Sequence, residues 1–326
     1  MKIYNENKIN YLPEIIKKEL AKYRENRNFS IEEYIQNKSN IINDYFKTYK
    51  LNTAVVAVSG GVDSALVIAL LKNASMVENS YLKNIVPVFM PAYNSNGVTG
   101  QYTAFNRASE LCLAFGLDLV ELDLSTHSSK LSKSIQYLIN IKSDDWSEGQ
   151  LVPYLRTTSL YYFATLLTKN DQKAVIVGTT NADEGQYIGY FGKASDGLVD
   201  IQLISDIHKS EVYAISEFLG VPASIIDVEP TGDMYDSRVD VDVFGFPYDF
   251  IEFYRTYLNM DIKEQQEIKE LLIKENEIDV FNKLEQNVEN MHRYNKHKYL
   301  GNSPAVHFDV IDTKIKCGWE YSNWME

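Results

Sequence analysis

A short apolar, β-branched run, Ala54 to Val58, leads straight into Ser59-Gly60-Gly61-Val62-Asp63-Ser64, and a helical pattern begins at once. Two glycines permit a tight turn and close backbone approach. Successive amides then face one anion, and the dipole of the following helix adds positive potential. Ser59 and Ser64 add hydroxyl donors, and Asp63 is placed to hold magnesium on bound phosphates. Gly-Gly alone would be an ordinary turn with Ser or Asp as a cap. The whole Ser-Gly-Gly-x-Asp-Ser string between a strand and a helix points to phosphate binding. It is not the GxxxxGK[ST] loop, because Gly192-Lys193 is followed by Ala194 and Tyr187 stands where the first glycine belongs. No GxGxxG follows the first strand, which disfavours a dinucleotide redox fold.

The elements that must hold this loop are readable from periodicity. From Glu14 to Ser59 there is neither Gly nor Pro, and Ile15, Ile16, Leu20, Ile31, Tyr34, Ile35, Ile41, Ile42, Tyr45 and Phe46 recur at helical spacing, predicting two amphipathic helices. Ala54–Val58 reads as a strand buried on both faces, followed by a helix from Val62 to Leu71. Strands are expected at Ile85–Phe89, Asp118–Leu122 and Ala174–Gly178, with helices at Tyr102–Phe115 and near Leu155–Thr168. The alternation predicts a doubly wound, mostly parallel α/β sheet with helices on both faces and extra N- and C-terminal helices, the last from the charged amphipathic stretch after Pro247. In such sheets ligands sit beyond the carboxyl ends of the strands, so the loops after Val58, Phe89 and Val177 are where chemistry belongs. With no repeat or linker, a single domain over residues 1–326 is expected, 1–50 being a helical extension.

Composition excludes several classes. The chain has 326 residues, 45% hydrophobic, so a core can form, and its formal charge of −13 argues against a broad nucleic-acid-binding surface. The longest strictly apolar run, Ala65 to Leu71, is far below the roughly 20 residues of a membrane span, and the polar Met1 to Asn10 lacks the apolar region of a signal peptide. Two cysteines, Cys112 and Cys317, form neither a disulfide framework nor a CxxC pair, which fits a reducing cytoplasm. His208, His292 and His307 show no metal or triad spacing and receive no catalytic role.

The Ser-Gly-Gly-x-Asp-Ser loop resembles the pyrophosphate loop of ATP pyrophosphatases, which have the adenine nucleotide alpha-hydrolase-like fold. Downstream, Gly178-Thr179-Thr180-Asn181-Ala182-Asp183-Glu184, then Gly189-Tyr190-Phe191-Gly192-Lys193-Ala194-Ser195-Asp196-Gly197 and Asp200, are similar to the corresponding run of NAD synthetases. Lys209 at a helix start, Leu219-Gly220-Val221-Pro222, Glu229-Pro230-Thr231 and His297-Lys298 before Pro304-Ala305 follow in the same order. The resemblance spans residues 51–310 and is strongest to the ammonia-dependent type. It implies conversion of deamido-NAD to NAD through an acyl-adenylate, with AMP and pyrophosphate released. By the same resemblance, Ser59, Gly60, Gly61, Asp63 and Ser64 surround the pyrophosphate. Lys209, Thr231, Arg156 and Thr179 meet ATP, and Asp63, Lys209 and Thr231 carry catalysis. Asp63 and Glu184 hold magnesium. Lys193, Asp196 and Asp200 bind deamido-NAD, with Tyr45, Trp146 and Tyr161 as aromatic surface; core packing is the equal reading of those three rings. A homodimer is implied. The 58 residues before the loop contain no cysteine nucleophile, so free ammonia is the expected nitrogen source, a separate glutaminase partner staying open.

The acceptor side departs from the pattern. Tyr154 replaces the first Arg of Arg-x-Arg, Gln150 stands where Asn is usual, Asp240-Val241 replaces Asp-Glu, and Tyr299 follows His-Lys. An amide synthetase for another carboxylate is therefore the alternative. A nucleotide-binding module without turnover is disfavoured, because Asp63, Glu184 and Lys209 are all present.

Overall fold

The computed structural model describes residues 12–93, 100–232, 238–298 and 305–311. At its centre lies a six-stranded sheet, all parallel, in the order β3-β2-β1-β4-β5-β6. The strands are β1 (Thr53–Ala57), β2 (Asn84–Phe89), β3 (Val120–Glu121), β4 (Ala174–Gly178), β5 (Ile201–Gln202) and β6 (Val306–His307). In β1 adjacent side chains point to opposite faces, as a pleated strand requires. Ala54 and Val56 join one apolar cluster and Val55 the other, all three fully buried.

Helices cover both faces. One layer holds α2 (Ile31–Thr48), α3 (Val62–Ser75), α4 (Gln101–Ala114), α7 (Lys209–Phe218) and α8 (Ala223–Ile226). The apolar run Ala65 to Leu71 is the buried waist of α3, apolar all round because helices and sheet enclose it. The opposite layer is α5 (Ser125–Ile139) packed on α6 (Asp145–Lys169), whose Leu160 and Ala164 meet Val55 and Ile176. A second cluster joins α1 (Glu14–Arg27) to α10 (Tyr248–Asn259), α11 (Ile262–Lys274) and α12 (Ile278–Asn295). The short α9 (Asp240–Phe244) joins them through Phe244. No helix among the described residues is long and apolar enough to cross a membrane.

Four expected strands and the flanking helices are present, with three differences. The strand expected at Asp118–Leu122 shrinks to Val120–Glu121. β5 and β6 have two residues each, too few for a period-2 pattern. α5, for which no element is expected, carries five serines, and α6 contains Pro153, both unfavourable inside a helix. Yet α6 starts at Asp145, well before Leu155, because Asp144 and Ser147 form a reciprocal cap: Asp144 Oδ1 accepts from the Ser147 amide at 2.9 Å, and Ser147 Oγ accepts from the Asp144 amide at 2.9 Å. The far sheet edge is tied down by the fully buried Lys38 of α2, which donates to Asp206 (2.9 Å), the Leu203 carbonyl (2.7 Å) and the Phe308 carbonyl.

Candidate active site

The phosphate loop leaves β1 at its carboxyl end. Gly60 has φ +78°, and a Cβ there would lie 2.5 Å from the Ala104 carbonyl of α4, so only glycine fits. Its own carbonyl accepts from Arg107 Nε at 2.7 Å, which fastens the turn to α4. Gly61, extended at φ −99°, is the residue before α3, and no side chain caps that helix end. Ser59 and Ser64 bridge the turn: Ser64 Oγ donates to the Gly61 carbonyl (3.0 Å), and the two hydroxyl oxygens are 3.3 Å apart. The Ser59 amide donates to Ser64 Oγ at 3.3 Å and the Gly61 amide to Ser59 Oγ at 3.2 Å, so the turn is held tightly at a helix N-terminus, the setting that suits a polyphosphate.

Three charged groups from separate segments converge beside it. Lys209 Nζ, at the first residue of α7, lies 2.5 Å from Asp63 Oδ2 and 3.0 Å from Glu184 Oε1. Burial pushes the ammonium down, but Asp63 and Glu184 outweigh it and hold the group well above the usual lysine range. Glu184 begins a π-helical turn, Glu184–Ile188, just after β4. The turn's carbonyls are met from α12: His292 Nδ1 donates to the Tyr187 carbonyl and Asn295 Nδ2 to that of Ile188, each at 2.9 Å. Asn181 ties the two acids together. Its Nδ2 donates to Asp63 Oδ1 at 2.9 Å while its Oδ1 accepts from the amides of Asp183 and Glu184.

Tyr248 and Asp240 complete the cluster. The Tyr248 hydroxyl lies 2.8 Å from both Glu184 Oε1 and Asp240 Oδ2. One phenolic proton serves one carboxylate, so a second proton is needed between the two acids when both contacts hold. Burial accordingly raises Glu184 to about 7, against the pull of Lys209, with Asp63 and Asp240 adding repulsion. Burial raises Asp240 as well. Asp240 also accepts from the Gly232 amide at 2.6 Å, and Thr231 bridges Val239, so the exposed Thr231 loop hangs from the same carboxylate.

The family model of NAD synthase matches residues 34–300. The chain belongs to the NAD synthase family. It is 31% identical over 199 residues to the NH(3)-dependent NAD(+) synthetase of Thermoplasma volcanium, a stretch covering 61% of this chain and 74% of that protein. The NH(3)-dependent NAD(+) synthetase of Mycoplasmopsis pulmonis is 27% identical over a longer stretch, 80% of this chain and 85% of the relative. Among solved structures, NMN synthetase from Francisella tularensis superposes with TM-score 0.66 at 23% identity, over 83% of this chain and 96% of that one; at that identity the likeness speaks for the fold.

Within this member of the NAD synthase family the structure brings Ser59, Gly60, Gly61, Asp63, Ser64, Glu184 and Lys209 together. Thr179 follows β4 directly, and Arg156 reaches from α6 to the Met90 carbonyl (2.8 Å) just after β2, both at the carboxyl ends of the strands as expected. The acceptor residues are spread more widely. Lys193 and Asp196 are exposed on the loop after the π-helical turn, with Asp196 Oδ2 accepting from Ser195 Oγ at 3.1 Å. Asp200 Oδ2 accepts from the Ile176 amide of β4 at 2.7 Å and faces Tyr161, whose phenol burial and Asp200 push up to about 12. Tyr45 packs edge-on against Phe308 with centroids 5.0 Å apart, and Trp146 is exposed on the first turn of α6. Tyr299, Pro304 and Cys317 lie outside the described residues.

Sequence reasoning missed Arg107, Tyr248, Asp183, Arg255 and His208. Asp183 stands beside Glu184 in a run already singled out, so adjacency was the one available signal. His208 shows no motif spacing, yet it is buried with Nδ1 2.7 Å from Asp183 Oδ1.

Proposed function

We propose that this chain catalyses ATP-dependent amidation of deamido-NAD to NAD with ammonia, through an acyl-adenylate and with release of AMP and pyrophosphate. The observation that carries the reading is the convergence of Asp63, Glu184 and Lys209 on a Ser-Gly-Gly phosphate loop in a chain of the NAD synthase family. The acceptor carboxylate attacks the α-phosphate, forming the acyl–oxygen–phosphorus link as the bond to pyrophosphate breaks; ammonia then displaces AMP. The first step brings two anions together and expels a third, so neutralising charge matters more than a strong base. The loop amides, Ser59 and Ser64 receive the departing pyrophosphate, and Lys209 supplies a fixed positive charge beside it. Thr231, Arg156 and Thr179 take the remaining ATP contacts. Lys193, Asp196, Asp200, Tyr45, Trp146 and Tyr161 take the dinucleotide.

The donor set suits magnesium. Among the described residues no group of three or more His, Cys, Asp or Glu is placed to hold a metal, but magnesium is commonly bound by one or two carboxylates with substrate phosphates and water. Asp63 and Glu184 both contact the Lys209 ammonium, so the two carboxylates stand close together beside the loop. They would hold the ion, whose charge would neutralise phosphate oxygens. Binding requires ionised Glu184, whose pKa is raised to about 7. Magnesium affinity, measured by calorimetry with a non-hydrolysable ATP analogue, should therefore fall by about tenfold per unit as pH drops from 7 to 5, and be flat above 7. Glu184→Gln should remove that slope.

We place the enzyme in the cytoplasm as a homodimer. Support for the dimer is the exposure of large apolar side chains on α6, where Tyr162 (66%) and Leu166 (49%) stand one turn apart, and of Leu138 (79%) on α5. Tyr162→Glu with Leu166→Glu should yield a monomer in analytical ultracentrifugation, with a lower melting temperature that no longer depends on protein concentration, since the stabilising association is lost. A dimer surviving both changes would move the interface elsewhere.

The deciding assay follows NAD and AMP together with ATP, magnesium, deamido-NAD and either ammonium or glutamine. NAD with ammonium and none with glutamine supports the proposal. Folded, ATP-binding protein that gives neither product would point to a different carboxylate acceptor.

A further inference from the structure

The helix α1 lies before the segment that the NAD synthase family model matches, and it is joined to the active site by buried polar contacts. Arg27 grips both oxygens of Glu211, one at 3.0 Å, and donates to the Tyr23 hydroxyl at 3.1 Å. Tyr23 OH is 3.2 Å from His208 Nε2. His208 Nδ1 donates to Asp183 Oδ1 at 2.7 Å. The other Asp183 oxygen accepts from the Lys209 amide at 2.9 Å, and Arg255 donates to Oδ1 at 2.9 Å. Glu211 in turn accepts from the His208 amide at 2.9 Å.

The chain order makes this arrangement informative. Asp183 precedes Glu184, and His208 precedes Lys209. The His208–Asp183 bond thus clamps the segment bearing the glutamate to the segment bearing the lysine, one residue behind each functional group. Asp183, His208 and Glu211 are almost wholly buried, at 0%, 2% and 1% exposure. Burying such groups brings little net stability over apolar packing of the same volume, and what these bonds do here is join the two segments directly, from the His208 ring and the Lys209 amide to Asp183. A helix needed only to cover α10 would not require it.

We propose that Tyr23 and Arg27 are positioning residues for the adenylation step, holding the His208–Asp183 clamp so that Lys209 Nζ stays between Asp63 and Glu184. The inference rests on the proposed activity for its kinetic arm, so the test has a second arm that does not. Tyr23→Phe keeps the ring, which meets His208 edge-on with centroids 6.0 Å apart, and removes only the hydroxyl. In steady-state assays it should lower kcat for AMP formation by about fivefold or more, with KM for ATP and for deamido-NAD changed less than twofold. His208→Phe should lower kcat further, and adding Tyr23→Phe to it should cost nothing more, because the two act through one bond. In hydrogen exchange of the resting protein, the peptide carrying the His208 and Lys209 amides should exchange about tenfold faster in Tyr23→Phe, with β1 unchanged. Wild-type kcat or additive losses in the double variant would overturn the proposal. So would unchanged exchange at His208 and Lys209, or an equal rise there and in β1. A wild-type protein without NAD synthesis would count against the assigned activity alone, and the exchange arm would still decide the clamp.

Discussion

Lys209→Met should lower the rate of AMP formation by about 10²–10³-fold, the range found when one fixed charge or donor is removed from a developing anion. Methionine keeps length and fills much of the same volume, so the loss reads on charge. The resting protein should also be destabilised, because Asp63 and Glu184 lose the cation that lies 2.5 and 3.0 Å from them. Breaking a buried pair from one side can cost about 3–5 kcal/mol. Here the loss should be smaller, since Glu184 already titrates near 7 and can take up a proton. A thermal melt should therefore show a deficit that shrinks at pH 5.5 and grows at pH 8. Lys209→Arg should not restore turnover, because the planar guanidinium is wider than the ammonium slot shared by two carboxylates. Retention of more than a tenth of wild-type kcat in Lys209→Met would remove the lysine from the chemistry.

The parts of this site that were legible in sequence are the local ones. Ser59 to Ser64 form a turn within a single strand-to-helix junction, so residue type and order alone specify its geometry. Lys209, the first residue of α7, was readable only through the ordered set of motifs, since a lone lysine at a helix start announces nothing. Glu184 was readable only as a member of a run, since nothing local announces a π-helical turn held from α12 by His292 and Asn295. Tyr248, Asp240, Arg255 and His208 come from segments separated by up to dozens of residues, and only packing assembles them. The same holds for the fold. Long buried strands such as β1 and β4 show in composition, whereas two-residue β5 and β6 exist only because neighbours supply their partners. The serine-rich α5 was hidden because its propensity is poor and its stability comes from lying on α6.

The two loop glycines, equivalent in the sequence, should separate under mutation. Gly60→Ala meets two obstacles. Its φ of +78° is costly for any residue with a Cβ, about 1–2 kcal/mol, and the new methyl would sit 2.5 Å from the Ala104 carbonyl, a backbone atom of α4. That atom is fixed by the helix, so the loop must yield instead. Moving it also strains the 2.7 Å bond from Arg107 Nε to the Gly60 carbonyl. The turn is then displaced from the start of α3, and because phosphate binding there depends on that geometry, ATP turnover should fall by about 10²-fold or more. Gly61 has φ −99°, ordinary for any residue, and its added Cβ would meet only the Ser59 hydroxyl at 3.3 Å, a contact that a shift of a few tenths of an ångström relieves. Gly61→Ala should therefore melt within about 2 °C of wild type, as a substitution without strain does, while Gly60→Ala melts lower. Calorimetric titration with an ATP analogue alongside the melts would check both. If Gly60→Ala bound nucleotide as tightly as Gly61→Ala, the loop would not be the rigid anion cradle that its contacts with α4 describe.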